Sequence, residues 1–374
     1  MAVDGIFSTH SWSLMPFHFW SLVFFTFGCL IGSFLNVCIY RMPRDMSVVS
    51  PPSHCPHCKY AIPFYLNLPL VTWLSLKGRC RNCGAPISPR YFIVELVTGV
   101  AFLSCWLTFG NPAYPLPSLG LALVYGVFLA GLICASFIDF EHFIIPDEIT
   151  LGGMVAGIAA SFLLPSLHAA GSHGEGLVQG LWGAGVGAGL VYAILRLGKL
   201  LFGRQRVKLP PDTRIVFTET AVCLPDQVIP YEDLFYRPSD AIVLRARTLE
   251  LVDRSYKDVR VRLSVGSLLI DEEKINPAEV ACLEAVTGEI ILPREAMGFG
   301  DVKFMGAIGA FIGWQGAVYT LMASSLIGAA AGMILIVFRR REWSSRMPYG
   351  PYLALAALLW LFGGQKLFRA LFPM

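Results

Sequence analysis

The sequence predicts a polytopic α-helical membrane protein of about eight transmembrane helices, interrupted by a cysteine-bearing insert and by a larger β-rich insertion. Three observations carry this reading. The 374 residues are 55% hydrophobic, with a mean hydropathy of +0.60 and only 15% charge, whereas soluble domains carry about 25%. Every Lys and Arg lies outside residues 1–40 and 91–195. Those same stretches hold continuous apolar runs of roughly 20 residues, the length a helix needs to cross hydrocarbon. An outer-membrane barrel would instead alternate over about 10 residues. Disorder and collagen are excluded by the same composition.

Taken in order, the apolar runs predict spans near 18–40, 91–109, 119–139, 143–164, 177–201, 302–314, 316–338 and 349–364. At about 1.5 Å per residue the run 302–314 is too short to cross alone, so it is a partial helix or continues through the Gln315-Gly316 break. No basic residue precedes the first run, and no small-residue cleavage pattern follows it. The amino terminus therefore reads as an uncleaved helix that starts outside the cytoplasm. Residues 41–90 carry seven basic groups against the single acid Asp45, residues 196–208 carry five, and Arg339, Arg340, Arg341 and Arg346 form a third block. The positive-inside rule assigns these loops to the cytoplasm and both termini to the outer side, leaving only Lys366 and Arg369 misplaced. Nucleic acid is not an expected partner, because the basic loops are short and have no stripe of stacking aromatics beside them.

The expected division is a first membrane helix (1–40), a cytoplasmic tetracysteine insert (41–90), membrane helices 2–5 (91–202), a cytoplasmic insertion (203–297) and membrane helices 6–8 (298–374). The insertion holds 13 basic and 16 acidic residues, a balance typical of a soluble domain. Val259, Val261, Leu263 and Val265 alternate with Arg260, Arg262 and Ser264, as a half-buried strand requires, and 242–251 and 289–292 behave similarly. It contains no catalytic constellation, and Cys223 and Cys282 have no partner at ligand spacing. It reads as a structural or regulatory element.

Cys55-Pro-His-Cys58 and Cys80-Arg-Asn-Cys83 are two CxxC pairs with the spacing of a zinc ribbon. Each pair brings two thiolates to one ion from a tight turn, with Pro56 and Gly84 as turn residues. Four sulfur donors close a tetrahedral shell, so the site is structural and not hydrolytic. Two disulfides are the alternative, disfavoured by a reducing cytoplasm. His54 and His57 are candidate replacement ligands that four cysteines make unnecessary. Cys29, Cys38, Cys105 and Cys134 lie in apolar spans and read as small hydrophobes.

Asp139 ends the third span and Asp301 opens another, within Gly298-Phe299-Gly300-Asp301-Val302-Lys303. Both sit at the cytoplasmic border of the bilayer, where an ionisable group is costly and marks a functional site. Two acids on facing helix ends can share a proton, which is aspartyl-protease chemistry. Gly298 and Gly300 permit an irregular loop to enter the membrane edge. The bland alternative is that each aspartate merely caps a helix. Glu141, Asp147 and Glu148 form an acidic loop, without a Lys or Arg close in sequence, that could attract a short basic segment.

Gly32-Ser-Phe-Leu-Asn-Val37, the two CxxC pairs, Arg90-Tyr-Phe-Ile-Val-Glu-Leu96, Asp139 to Asp147, Gly298 to Lys303 and Pro348-Tyr-Gly-Pro-Tyr352 follow one another in an order that resembles the bacterial type IV prepilin peptidases, membrane aspartyl proteases of the GxGD type. The resemblance covers almost all of the chain outside 203–297, a stretch that typical members lack or keep short. It implies Asp139 and Asp301 as the catalytic pair, supported by Gly298, Gly300, Lys303 and Asp147, and Cys55, Cys58, Cys80 and Cys83 as zinc ligands. It further implies cleavage after a glycine of prepilin and pseudopilin leaders at the cytoplasmic face of the bacterial inner membrane. N-methylation of the new terminus by S-adenosylmethionine follows in that family. Membrane lipid and the machinery of pili or type II secretion are the expected surroundings. For the methyl donor the sequence offers only Glu95, a lone acid inside the second span, as a contact for donor or substrate amine, against a buried hydrogen-bonding role. A zinc-containing transporter and a non-enzymatic membrane sensor or assembly factor are the competing classes. Absence of an internal repeat and of mid-span acids argues against transport.

Overall fold

The computed structural model describes residues 17–111, 115–202, 204–225, 228–231, 234–235, 240–251, 253–277, 280, 282–293, 298–338 and 347–372. Arg339, Arg340, Arg341 and Arg346, and the residues before the first helix, lie outside them. The chain divides into two units, Met1–Tyr192 with Phe299–Met374, and Ala193–Gly298.

The first unit is helical. Its elements are α1 (Phe17–Arg41), a short α2 (Val71–Ser75), α3 (Pro89–Phe109), α4 (Pro115–His142), α5 (Asp147–Leu163), α6 (His173–Phe202), α7 (Phe299–Val337) and α8 (Gly350–Leu359), which runs through a π turn (Trp360–Gly364) into α9 (Gln365–Leu371). Among the described residues six helices are long and apolar enough to cross a membrane. This is a polytopic membrane protein. The expected span 143–164 appears as the 17-residue α5, and the expected pair 302–314 and 316–338 appears as the single 39-residue α7.

α7 is not straight, however. Gly313 has φ 73° and ψ 176°, so the break falls there and not at Gln315-Gly316. A side-chain carbon placed on Gly187 of α6 would meet the Met305 carbonyl and also lie 3.6 Å from Ala317 Cβ. Twelve residues of unbroken helix would hold those two residues about 18 Å apart. The limbs before and after Gly313 therefore fold back beside one another, with α6 packed against both. Close approach of small residues, with no room for larger ones, is how apolar helices associate without a hydrophobic driving force. Gly183 meets the Gly309 carbonyl, and an added Cβ there would stand 2.9 Å from Gly313 Cα. Beside the reversal, Ser161 Oγ lies 2.8 Å from His168 Nε2, 2.8 Å from the Gly157 carbonyl and 3.1 Å from the Ala310 carbonyl.

Local sequence explains the helix ends that matter below. Ser88 caps α3 by accepting the Arg90 N–H, with Pro89 in the first turn. α4 stops where Phe143 enters the left-handed region (φ 56°) and donates its N–H to the Asp139 carbonyl. Pro146 then starts α5, with Asp147 and Glu148 in the first turn, where the helix dipole favours acids. Cys29, Cys38, Cys105 and Cys134 are buried among apolar side chains, as expected of small hydrophobes.

The second unit is an antiparallel sheet of β1 (Arg204–Phe217), β2 (Ala221–Cys223), β3 (Val228–Pro230), β4 (Ala241–Leu251), β5 (Ser255–Ser264), β6 (Ser267–Ile270), β7 (Glu273–Ile275) and β8 (Leu283–Pro293). Their spatial order is β3-β2-β1-β8-β4-β5-β6-β7. Alternation with period 2 sets its core. Ile242, Leu244 and Ala246 of β4 are buried with Val259 and Val261 of β5 and Ile290 of β8, while Arg245, Arg247, Arg260 and Arg262 face water. Val265, expected as the last inward position of that strand, lies instead in the turn one residue beyond the end of β5 and is exposed. β1 was not expected, because Pro210 and Pro211 interrupt its pattern at a register shift between Lys208 and Thr213. Lys199, in the last turns of α6 and within this second unit, which begins at Ala193, pairs with the buried Asp240 at 2.7 Å.

Candidate active site and metal centre

Asp139, three positions before the last residue of α4, is only 5% exposed. Its Oδ2 accepts the backbone N–H of Gly350 at 2.8 Å, across 211 residues of sequence. Asp301 lies half-buried in the first turn of α7. Ile145 stands between the start of α8, which binds Asp139, and the start of α7, which carries Asp301. A Cβ placed on Gly350 would lie 3.1 Å from Ile145 Cδ1, and one placed on Gly300 would lie 3.8 Å from Ile145 Cβ. Lys303 Nζ bonds Asp147 Oδ1 at 2.6 Å and ties the start of α7 to the start of α5. Gly298 is exposed. Ile145 thus touches both the residue whose N–H binds Asp139 and the residue before Asp301.

The acidic loop is corrected by the fold. Arg90, from the start of α3, pairs with Glu141, and Lys303 pairs with Asp147. Neighbouring helices supply the cations that the local sequence lacks, so this loop is not an unpaired acidic surface.

Glu95 has a definite partner too. The residue is only 9% exposed, and Oε2 accepts the N–H of Leu70 at 2.8 Å while the Ser33 side chain also bonds it. Leu70 has φ 61° and ψ −50°, and Val71 donates its N–H to the Pro69 carbonyl across it at 2.6 Å. That is the strained, positive-φ form of the γ-turn. One turn along the same helix pair, Asn36 Nδ2 donates to the Tyr91 carbonyl at 3.0 Å. The buried hydrogen-bonding role is the one the geometry gives to Glu95, which locks the insert onto α1 and α3.

In the insert, the two CxxC segments fold alike. Cys55 N–H donates to the Tyr60 carbonyl and Lys59 N–H to the Cys55 carbonyl. Cys80 N–H donates to the Ala85 carbonyl and Gly84 N–H to the Cys80 carbonyl. Lys59 and Gly84, at matching positions, are both left-handed (φ 58° and 70°), and each loop is closed by a β-bridge, His54 to Ala61 and Arg79 to Pro86. The four Sγ atoms lie within 4.8 Å of one another, with Cys55 to Cys83 at 3.9 Å and Cys58 to Cys80 at 4.0 Å. A tetrahedral zinc with sulfur at about 2.3 Å needs sulfurs about 3.8 Å apart, so the donor set fits. The Asn82 side-chain amide, and then the Tyr60 backbone, hold the Cys58 thiol down at about 6. The backbone at Cys83 and Asn82 lowers Cys80 as well. Metal binding takes the thiolate form. His54 turns away, with Nδ1 on the Pro52 carbonyl at 3.0 Å.

Residues 26–109 match the bacterial peptidase A24 N-terminal domain, and residues 126–209 with 261–333 match the type IV leader peptidase family. The chain belongs to the type IV leader peptidase family. It is similar to a prepilin leader peptidase/N-methyltransferase of Aeromonas hydrophila, at 27% identity over 92% of this chain and 91% of that one. A Dichelobacter nodosus protein of the same description is 34% identical over 48% of this chain and 67% of its own. One from Myxococcus xanthus is 46% identical over 140 residues, 37% of this chain and 40% of that protein. No solved structure matches. Membership of a peptidase family makes the chain an enzyme, and the transporter and sensor readings fall away. The family match omits residues 210–260, which lie within the sheet unit.

Sequence reasoning missed the role of Ile145 and of the Gly350 N–H in this family member. Pro348-Tyr-Gly-Pro-Tyr352 stood out in the sequence as a motif, but nothing local tied it to an acid more than 200 residues away. Tyr349 is itself anchored, with its hydroxyl 2.8 Å from Ser324 Oγ and 3.2 Å from Ser325 Oγ.

Proposed function

We propose that the protein is a membrane-embedded aspartyl endopeptidase. It removes the leader of type IV prepilins and pseudopilins after a glycine at the cytoplasmic face of the bacterial inner membrane, and then methylates the new amino terminus. What supports this most directly is that Ile145 touches both Gly350, whose N–H binds Asp139, and Gly300, the residue before Asp301. The eight crossings follow if α5 and both limbs of α7 each count as one. Arg41 at the end of α1, Arg44 after it and Arg90 at the start of α3 then lie on the side of the acids, where the positive-inside rule puts the cytoplasm.

The chemistry is that of a carboxyl pair sharing one proton. The ionised carboxylate takes a proton from water as the water oxygen attacks the peptide carbonyl carbon. The protonated partner gives its proton to the carbonyl oxygen. Collapse of the resulting diol breaks the C–N bond as the amine nitrogen takes a proton, releasing a new carboxyl and a new amine. Burial of Asp139 between helices excludes bulk water from the pair, and Lys303 with Asp147 fixes the end of α7 that carries Asp301.

Cys55, Cys58, Cys80 and Cys83 would hold zinc. A closed thiolate shell leaves no site for water, so the metal orders residues 41–90 and takes no part in hydrolysis. S-adenosylmethionine supplies a methyl group to an amine. The one residue considered for it, Glu95, is already bonded by Leu70 and Ser33, and no residue of this chain is assigned to the donor. Mass spectrometry of a prepilin-like peptide incubated with the purified enzyme, with and without the methyl donor, tests the reading. Cleavage after the leader glycine with a 14 Da gain only when donor is present is expected. An intact peptide in both arms would refute it.

A further inference from the structure

We infer that Gly350 is the positioning residue of the aspartate pair. Its backbone N–H holds the Asp139 carboxyl in its working orientation, and the absence of a side chain at 350 makes the room. The inference rests on the aspartyl-pair reading above.

Glycine is not needed at 350 for its backbone. The residue opens α8, Tyr349 before it is in the right-handed helical region (φ −93°, ψ −26°), and Gly350 is not among the glycines with positive φ. At such a helical position alanine is favoured over glycine by about 1 kcal/mol. Space is what forbids it. A Cβ at 350 would lie 2.8 Å from Asp139 Oδ2, 3.3 Å from its Cγ and 3.1 Å from Ile145 Cδ1. Asp139 and the α8 backbone are therefore closer than any L-residue with a side chain allows.

That closeness has a chemical consequence. Among the described residues the Gly350 N–H is the only hydrogen-bond partner of the Asp139 carboxylate. The N–H fixes Oδ2, so the orientation of the whole carboxyl, and with it the place of Oδ1, is set by the start of α8. The donor is itself held from both sides. Tyr349 is anchored through its hydroxyl to Ser324 and Ser325, and Ile145 packs under Gly350 on one side and Gly300 on the other. A shift of the segment from Pro348 to Gly350 would be transmitted directly to Asp139 through that bond.

The test compares Gly350→Ala, Tyr349→Phe and Asp139→Asn in the full-length enzyme in lipid, measuring kcat and KM on a prepilin peptide. Affinity for the same peptide carrying a tetrahedral hydroxyl in place of the cleaved bond is measured alongside. Gly350→Ala should lower kcat by roughly ten- to a hundredfold, as misplacement of a reacting group by about 1 Å does, with KM changed less than about twofold. Affinity for the hydroxyl-bearing peptide should fall by the same factor as kcat/KM, since both read transition-state complementarity. Tyr349→Phe should lower kcat in the same direction by a smaller factor, again at constant KM. A merely structural role would lower the folded fraction or raise KM without that match. Wild-type kcat in Gly350→Ala, with Asp139→Asn inactive, would overturn the positioning role alone, while cleavage by Asp139→Asn would overturn the aspartyl pair itself. If Gly350→Ala does not fold, Tyr349→Phe decides: unchanged kcat overturns the inference.

Discussion

Replacing Glu95 by alanine strips the Leu70 N–H of its acceptor and exposes how the tetracysteine insert is held to the membrane helices. Leu70 sits at φ 61° and ψ −50°, a conformation that costs a residue with a side chain about 1–3 kcal/mol. The surroundings must over-determine that turn, and the 2.8 Å bond to a carboxylate oxygen that is itself buried is the visible means. Leaving a part-buried donor unpaired costs about 1–3 kcal/mol. At roughly 1.4 kcal/mol per factor of ten, local opening of the turn should rise between about fivefold and a hundredfold. Hydrogen exchange over residues 64–76 in the lipid-reconstituted enzyme reads this directly, and tryptic cutting at Lys77 and Arg79 should accelerate with it. Glu95→Gln keeps a carbonyl acceptor and should show the smaller part of the effect. Exchange in the first limb of α7 should not change, because Glu95 touches neither it nor the aspartates. Wild-type exchange over 64–76 in the alanine variant would refute the reasoning.

Other parts of the molecule yield three further expectations. One zinc per chain should be found by elemental analysis and lost in the Cys55→Ser, Cys80→Ser double variant, with substrate capture or methylation impaired more than peptide cleavage; retained metal would remove the assignment. Gly183→Ala places a carbon on the Gly309 carbonyl oxygen and should cost about 1–3 kcal/mol as overpacking, read as a lower unfolding temperature in detergent; an unchanged one would contradict backbone-to-backbone packing of α6 on α7. Replacing residues 206–294 by a short Gly/Ser linker should preserve some cleavage and alter substrate affinity or stability more than the chemical step, because loop-closure entropy grows only with the logarithm of length. A folded deletion variant that binds prepilin but cannot cut it would place part of the active site in the sheet.

What could be read from the sequence was what depends on neighbours in the chain. The CxxC spacing states the donor set because both ligands of a pair come from one turn, and Lys59 and Gly84 take the same backbone conformation in two copies of that turn. Apolar runs placed the helices because burial in lipid demands unbroken hydrophobicity. The strands β4, β5 and β8 were legible through alternation, whereas β1 was hidden by two prolines and by charges that face water on its exposed side. The chain reversal at Gly313 had no local signal beyond a glycine, since the contacts that fix it come from Gly183 and Gly187 of another helix. The same holds for the acids. Asp139 and Asp301 could be named from their place at the membrane edge, but the Gly350 N–H, the Ile145 wedge, the Arg90 and Lys303 pairs and the Leu70 partner of Glu95 arise only when distant helices meet.

The central claim is that Asp139 and Asp301 together perform the cleavage. Its most direct test is the turnover of a prepilin peptide by purified, metal-loaded Asp139→Asn and Asp301→Asn variants that are folded and membrane-inserted, with products counted by mass spectrometry. Each substitution removes one ionisable carboxyl at nearly constant volume, and the account predicts that neither variant releases a detectable leader while the wild type does. Substantial cleavage by either variant would falsify the pair.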